Sequence, residues 1–415
     1  MRDRVVIVGA GPNGLCLAKA LAARDLAIEV VERQPAEALA EPAFDGREIA
    51  LTHASMRVLR ELGIWQHLPA DAAAPVRAAR IRDAARPGFE IDGAAFGRER
   101  IGALVSNCHI RAAAWRAVAE TPAIHVHTGV AVEAVTADAD RASVRLADGR
   151  VLEADLLVAA DSRFSQTRRL LGIGAYEHDM GLSMLLARVR HAVDNAGIAW
   201  EWFDHGQTRA LLPLEPHVAS IVLTLSGAEA ARLMEAAPEA FAAEVARRYA
   251  GELGAVELIS TRHSHPLVAT FAHRFVGTRF ALVGDAAVGM HPVTAHGFNL
   301  GISSIERLAA AAAGSLRRHQ DVGHPSGLAR YQRQHRLESA PLFAGTQAIA
   351  GLFTDERALA QPLRRAAIGL GRRVPALRRA LALAVLDDAP RPLGPRQHLR
   401  LAAAALRPRL APRSS

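Results

Sequence analysis

The apolar positions change period several times along the chain. Arg4-Val5-Val6-Ile7-Val8 is an unbroken, mostly β-branched run, the pattern of a parallel strand covered on both faces. After Pro12, the residues Leu15, Leu17, Ala18, Leu21 and Ala22 recur at near-helical spacing. A second strand runs from Ala27 to Val31 and ends at Glu32. Thr52 to Leu62 predicts a helix with Val58, Leu59 and Leu62 on its apolar side. Residues 74–100 break into short alternating segments between Gly and Pro, which read as small strands and loops. Residues 108–119 read as helix, 126–157 as several strands with a turn at Asp148-Gly149, and 181–225 as strand. Two helices are expected at 228–236 and 238–249, then strands through 258–270 and a short apolar strand from Phe280 to Val283. From Phe298 to about residue 386 the pattern is helical, and the proline-rich stretch 390–415 predicts a loose tail.

A chain of 415 residues has room for two or three units at roughly 150 residues each. Half of it is apolar and 22% is charged, which excludes disordered, collagen-like and disulfide-stapled classes. Two cysteines cannot make a disulfide framework or a Cys-based zinc site; Cys16, in an apolar helix, reads as a buried inert thiol. Val5 to Val8 is too short for a signal-peptide core, and no run of about 18 uncharged apolar residues predicts a membrane span. The expected location is the cytoplasm, with a place at the inner face of the plasma membrane as the alternative. The net charge of +8 is uneven: residues 356–415 carry 13 arginines against three acids, so the body is near neutral. That argues against nucleic acid as a partner. The pairs Arg364-Arg365, Arg372-Arg373 and Arg378-Arg379 alternate with leucines. Such a basic amphipathic stretch either contacts anionic lipid or packs on the protein with its arginines in water.

Gly9-Ala10-Gly11-Pro12-Asn13-Gly14 follows a strand and opens a helix, the context that a dinucleotide-binding turn requires. Gly9 permits the tight turn, Gly11 the approach of a pyrophosphate, and Gly14 the packing of helix on strand. Glu32, at the end of the next strand, is placed for the ribose hydroxyls, and an acid there favours FAD or NAD over NADP. Two further segments share this character. Ala154-Asp155-Leu156-Leu157-Val158-Ala159-Ala160-Asp161-Ser162-Arg163-Phe164-Ser165-Gln166-Thr167-Arg168 is one. Arg279-Phe280-Ala281-Leu282-Val283-Gly284-Asp285 is the other, continuing through His291-Pro292-Val293 to His296-Gly297-Phe298-Asn299-Leu300-Gly301. Dinucleotide-type signals near residues 10, 160 and 285, with strand-rich material between, predict one nucleotide domain in three segments and an inserted sheet domain.

With these ordered motifs the chain, from about residue 3 to 352, resembles the group A FAD-dependent aromatic hydroxylases, the para-hydroxybenzoate hydroxylase fold. It looks most like the ubiquinone-biosynthesis hydroxylases among them, through Arg47-Glu48-Ile49-Ala50-Leu51, Trp200-Glu201-Trp202-Phe203 with Ala210-Leu211-Leu212-Pro213-Leu214, and the His291 and Gly297 segments. The resemblance implies an α/β fold: a Rossmann-like FAD-binding domain (1–73, 101–180 and 272–345), an inserted mixed-sheet substrate domain (74–100 and 181–271), C-terminal helices (346–389) and a basic tail (390–415). It implies that Gly9, Gly11, Pro12, Asn13, Gly14, Glu32 and Arg33 hold the adenosine half of FAD. Arg47 and Arg111 would reach the flavin or its pyrophosphate, Asp161 would serve FAD and the pyridine nucleotide, and Asp285 would bind the ribityl chain. Pro292 would sit beside the isoalloxazine, while the backbone of Gly297, Phe298 and Asn299 would face flavin N1 and O2, where a helix start stabilises developing negative charge. His291, Pro292 and His296 are the catalytic candidates. Trp202, Phe203 and Leu212 are the substrate candidates.

Ser162 stands where the second motif usually has Gly, Val288 replaces a common His, Ala295-His296 a common Gly-Gln, and Ser304 a common Asp. Plainer readings exist: Asp285 as a helix cap, Arg47 and Arg111 as surface ion-pair partners, the two histidines as loop residues, and Trp202 and Phe203 as core. His263 and His265 alternate on a strand without an apparent third metal ligand, and no metal is expected. The implied activity is NAD(P)H- and O2-dependent hydroxylation of a polyprenylated ubiquinone precursor through a flavin C4a-hydroperoxide. Alternatives are a hydroxylase of a small soluble phenol, a flavin epoxidase or reductase of the same fold, and a non-catalytic flavoprotein scaffold.

Overall fold

The computed structural model describes residues 3–24, 26–83, 86–204, 207–291 and 296–354. Its architecture is α/β, with a central six-stranded sheet in the order Val276–Gly277, Phe280–Leu282, Leu156–Ala159, Arg4–Val8, Ala27–Val31, Ile124–His127. The last five strands are mutually parallel. Val5, Val6 and Ile7 have no exposed surface, as the β-branched run requires. Helices Pro12–Ala22, Asn107–Ala119 and Gly297–His319 pack around this sheet, as does a three-stranded meander, Val132–Ala137, Ala142–Leu146 and Val151–Ala154. Pro12 at the first helical position lacks only an N–H that would have no helical partner anyway. Leu15, Cys16, Leu17, Ala18 and Leu21 are buried beneath it, and burial pushes the Cys16 thiol up to about 12, so it stays protonated and inert.

A nine-stranded sheet forms the second layer. Its main path runs Val288–Gly289, His263–Ala272, Ala175–His191, Val218–Ser226, Gln207–Glu215, Ile198–Asp204, Ala78–Asp83, Arg86–Asp92, with Val256–Leu258 beside Ala175–His191. Helices Gly227–Glu235 and Pro238–Arg248 cover one face. There Trp200, Trp202, Phe241, Val245 and Tyr249 form a separate core, each large side chain contributing ~1.5–3 kcal/mol by burial. A small sheet, Glu48–Leu51, Gly102–Ser106 and Ala73–Val76, joins the two layers.

Local differences from the sequence reading have physical causes. Gly181 does not start a strand: it sits at an irregularity inside the 17-residue strand Ala175–His191, its N–H donating to Asp179 Oδ1 at 2.9 Å. The strands expected through 258–270 are Val256–Leu258 and His263–Ala272, the first beginning two residues earlier and the second ending two later. Short helices Ala36–Ala40 and Gln166–Leu170 have too few turns to show a period. Among the described residues no helix is long and apolar enough to cross a membrane. The arginine pairs, the tail 390–415 and Pro292 lie outside the described residues.

Candidate functional site

Val8, Ala159 and Leu282 lie side by side in register at the ends of three neighbouring parallel strands. The loops that follow therefore emerge at one level, at the carboxyl edge of the sheet. Val8 O accepts from Ala160 N (2.8 Å) and Ala159 O from Val283 N (3.0 Å), carrying the pairing into the loops. Gly9 has φ +108, and a Cβ there would lie 2.6 Å from Ala160 O, so only glycine lets the first and second loops meet. Asn13 ties the first loop to the third: its side chain fills the space where a Cβ on Gly284 or Gly301 would stand, 2.4 and 2.5 Å from Nδ2. Ser304 completes the junction, accepting from Gly284 N (3.1 Å) and donating to Gly301 O (2.6 Å).

Around this junction the backbone is open. Among the described residues, no atom beyond the chain neighbours and the helix's own backbone comes within 4 Å of a Cβ placed on Gly11 or Gly297, which precede or begin the helices Pro12–Ala22 and Gly297–His319. Glu32 accepts from Ala10 N (2.8 Å) and Gln34 N (2.9 Å), which fixes its carboxylate at the strand end beside the glycine turn. Arg33 next to it is exposed, and Arg111 donates to Gln34 Oε1 (3.0 Å). The buried Asn13 Oδ1 has no hydrogen-bond partner among the described residues, the mark of a polar group waiting for a ligand. Asn299 turns its side chain inward: Oδ1 accepts from Thr52 N (3.1 Å) and Nδ2 donates to Ala50 O (2.8 Å). That leaves the backbone N–H groups of the helix start as the anion-facing part.

Asp285 is half-buried and paired with Arg163 (3.2 Å), which also donates to Val268 O (2.9 Å). The plain reading of Asp285 as a helix cap fails in this respect, since no cap hydrogen bond is made by a side chain at the 284–286 turn. Asp161 accepts from Ser165 Oγ and from Thr167 N (3.0 Å), and so holds the start of Gln166–Leu170. Behind it Arg168 is wholly buried, donating to Arg163 O (3.0 Å), Ala286 O (3.4 Å) and Glu177 (3.0 Å). Sequence reasoning gave neither Arg163 nor Arg168 a part, although both stand in the second motif. Ser162 carries φ +131, a conformation that glycine adopts freely.

His291 is buried, and desolvation, helped by the Arg163 charge, pushes it down to about 4, so its imidazole is neutral at pH 7. His296 caps the Gly297–His319 helix by backbone position, without a side-chain cap bond. Arg47 is committed to Asp45 (2.6 Å) on the loop before Glu48–Leu51. Burial raises the Asp45 carboxyl, but Arg47 and Asn107 outweigh it and hold the pKa below the ordinary value.

The substrate candidates separate. Trp202 points into the helix-backed core, edge-on to Trp200 and Tyr249, so its expected role in substrate contact is corrected: alternation puts it on the wrong face. Phe203 and Leu212 lie on the other face, where Leu212 packs with Ala199, Leu104 and Ala50. His263 and His265 share that face but are engaged by Thr261 (2.8 Å) and Asp45 O (3.0 Å). Among the described residues, Glu29, His125 and His127 form one group of ligand atoms within 4.8 Å of one another. Arg150 donates to His127 Nδ1 (2.9 Å), so Nε2 carries the proton and gives it to Glu29 (2.7 Å): a closed hydrogen-bonded set.

An open glycine turn, a carboxylate at the second strand end, an unmet Asn13 oxygen and a second helix start across the crevice fit an extended dinucleotide. The comparisons agree. The FAD binding domain family matches residues 2–341. The chain is 42% identical over 387 residues to the ubiquinone hydroxylase UbiM of Neisseria meningitidis, covering 92% of this chain and 84% of that protein. It is 33% identical over 391 residues to the ubiquinone hydroxylase UbiL of Rhodospirillum rubrum, covering 94% and 91%. In fold it is similar to p-nitrophenol 4-monooxygenase PnpA from Pseudomonas putida, with TM-score 0.73, 18% identity and coverage of 93% and 98%. It is also similar to the anhydrotetracycline hydroxylase OxyS from Streptomyces rimosus, with TM-score 0.71, 24% identity and coverage of 95% and 78%. With three loops meeting at one sheet edge and most of its length matched, this chain belongs to the FAD binding domain family, alongside the ubiquinone hydroxylases.

Proposed function

We propose that this chain is an FAD-dependent monooxygenase that hydroxylates the aromatic ring of a prenylated ubiquinone precursor, with NAD(P)H as reductant and O2 as oxidant. The observation that carries this reading is the meeting of the three loops at Val8, Ala159 and Leu282, locked by Asn13. The 42% identity to a ubiquinone hydroxylase supports the substrate class. When bound, FAD supplies the redox and oxygen chemistry.

The residues of the chain bind, orient and exclude water. Gly9, Gly11 and Gly14 let the pyrophosphate reach the N–H groups at the start of Pro12–Ala22, and Glu32 takes the ribose hydroxyls. Arg33 and Arg111 flank that end. Asp285, held by Arg163, receives the ribityl hydroxyls. The N–H groups of Gly297, Phe298 and Asn299, at a helix start, would stabilise negative charge on the flavin, a fixed dipole that needs no reorganisation. Asn299 keeps that helix start in place through Thr52 and Ala50. His291, kept neutral by burial, would bring no positive charge to a flavin held in this crevice. Phe203 and Leu212 belong to the apolar wall that keeps water from the reacting ring. A peripheral membrane contact of the basic segment beyond Thr354 is part of the proposal, because a prenylated substrate resides in the bilayer.

The test uses the purified holoprotein with NAD(P)H, air and prenylated phenol or quinol precursors, and reads the gain of one oxygen atom by mass spectrometry. Oxygen insertion into the ring supports the reading. Flavin that is reduced and reoxidised only with a soluble phenol selects the small-phenol hydroxylase instead. Bound flavin that NAD(P)H never bleaches selects the scaffold.

A further inference from the structure

The helix Pro325–Thr354 is patterned the wrong way round for a surface that faces water. Its inner side, with Tyr331, His335, Ser339, Phe343 and Thr346, is buried and includes three residues with small polar groups or an imidazole. The far side carries Leu337, Ala340, Pro341, Ala344, Ala348 and Ile349; all six are exposed and none has a polar side chain. Positions 337, 341, 344 and 348 are four, three and four residues apart, so they line up on one side of the helix over roughly 17 Å. Leu337 is 73% exposed and Ile349 36%. A helix packed on a protein in water shows the reverse, with apolar residues inward and polar ones outward. An outward apolar stripe of this length marks a contact surface.

The charge around this stripe has one sign. Arg333 and Arg330, one and two turns before Leu337 on the same side, are exposed. The helix holds one acid, Glu338, which is half-buried and occupied by Ser303 Oγ (2.9 Å) and Arg307. After the helix, residues 355–415 add 13 arginines against four acids. Two copies of the chain paired through the stripe would bring these basic flanks together, and like charges oppose that pairing. Anionic lipid headgroups complement the same flanks. Among the described residues no helix is long and apolar enough to cross a membrane, so the contact that fits is a helix lying on the surface.

We propose that the outward stripe from Leu337 to Ile349 is the face by which the protein docks on an anionic bilayer, with Leu337, Pro341 and Ile349 entering the acyl boundary and Arg330 and Arg333 meeting the headgroups. This rests on the proposed function above and adds, to the contact of its basic segment, the surface that supplies the apolar part. Arginines draw the protein to the lipid, and the buried apolar area retains it where salt screens the charges. The stripe is firmly joined to the nucleotide domain: Ser303 donates to Glu338 and Arg307 to Gln334 O (3.0 Å), both from Gly297–His319. Docking through it therefore holds the domain with the crevice at the bilayer, where a prenylated ring resides.

The experiment sediments full-length holoprotein with vesicles of phosphatidylcholine, alone or mixed in equal parts with phosphatidylglycerol. Wild type should bind the anionic vesicles at least ~10-fold more tightly than the neutral ones. The double variant Leu337→Glu, Ile349→Glu should bind the anionic vesicles at least ~10-fold more weakly than wild type, because two side chains no longer enter the lipid. Its flavin content, melting temperature and NAD(P)H oxidation in solution should be unchanged, since both positions are exposed. The double variant Arg330→Glu, Arg333→Glu should also lose about tenfold at low salt, and the gap should close as salt rises. Leu337→Trp should bind like wild type, and brominated lipid should quench its added indole beyond the signal of the four native tryptophans; this readout stands even if a Glu variant fails to fold. Equal binding by wild type and either double variant, equal binding to the two vesicles, or an unquenched indole at position 337 overturns the docking face. A wild type that is dimeric by light scattering beside a monomeric Leu337→Glu, Ile349→Glu variant also overturns it and gives the stripe to a second copy. If wild type binds anionic vesicles and the Leu337→Glu, Ile349→Glu variant binds them as well, only this face falls and the basic segment keeps the contact. If wild type binds no vesicle, the membrane contact falls with the face, while hydroxylation of a detergent-dispersed precursor decides the proposed activity separately.

Discussion

The crevice at the edge of the six-stranded sheet and the inner face of the nine-stranded sheet are built on opposite principles. The crevice is made of backbone: glycine contacts, helix starts and a carbonyl pairing that continues from strand into loop. The inner face is made of side chains: Ala199, Leu212, Met184 and Leu186 with Arg188, His263 and His265 among them. A backbone site binds whatever phosphate and ribose fit its N–H groups, so its recognition resides in steric gaps. A side-chain site owes its selectivity to individual groups that alternation happens to aim inward.

The comparison breaks first at Gly9. Gly9→Ala sets a Cβ 2.6 Å from Ala160 O at φ +108, so the first two loops must separate. We expect the purified protein to lose its flavin, a drop of well over tenfold in affinity, measured as the flavin-to-protein absorbance ratio, while the inner face stays intact. Next comes Arg168→Met. It removes the buried guanidinium that fastens Arg163 O and Ala286 O, and about 3 kcal/mol of stability should go with it in denaturant unfolding. Glu177 is half exposed and is not left stranded.

His291 sharpens the contrast through pH. Its folded pKa, about 4, lies below the unfolded value, so the unfolded chain takes up the proton first as pH falls. Stability should therefore be steady above about pH 6.5 and decline between pH 6.5 and 4, by up to about 3 kcal/mol from this group. His291→Asn should flatten that decline in melting temperatures taken across the range. The smallest effect is a gain. Ser162→Gly releases the φ +131 strain and should raise stability by about 1 kcal/mol, a shift of a few degrees in melting temperature.

The crevice was largely legible because its signals are local. A β-branched run, a glycine turn, Pro12 and Glu32 each announce their geometry within a few residues, and the α/β fold followed from their repetition. What escaped was non-local. Arg168 is buried by segments more than a hundred residues away, and nothing near it marks an arginine as core. Arg47 and Arg111 were read as reaching a ligand, but the side chains they touch, Asp45 and Gln34, could not be foreseen from spacing. The segment Trp200 to Phe203 shows the limit most plainly. Alternation divides its residues between two faces but does not say which face the helices cover. Trp202 therefore stood among the substrate candidates with the core as its plainer reading, and the structure places it in the helix-backed core.

Asn13 has one more consequence. Its amide occupies the volume denied to any side chain at positions 284 and 301, which lie about 270 and 290 residues further along the chain. Enlarging either glycine would need a smaller residue at 13, and shrinking residue 13 would leave a hole between the 284 turn and the helix at Gly301, a junction that Ser304 also bridges. A chimera that takes its first turn from one relative and its last helix from another should therefore fail at this contact when the residue at 13 does not match those at 284 and 301.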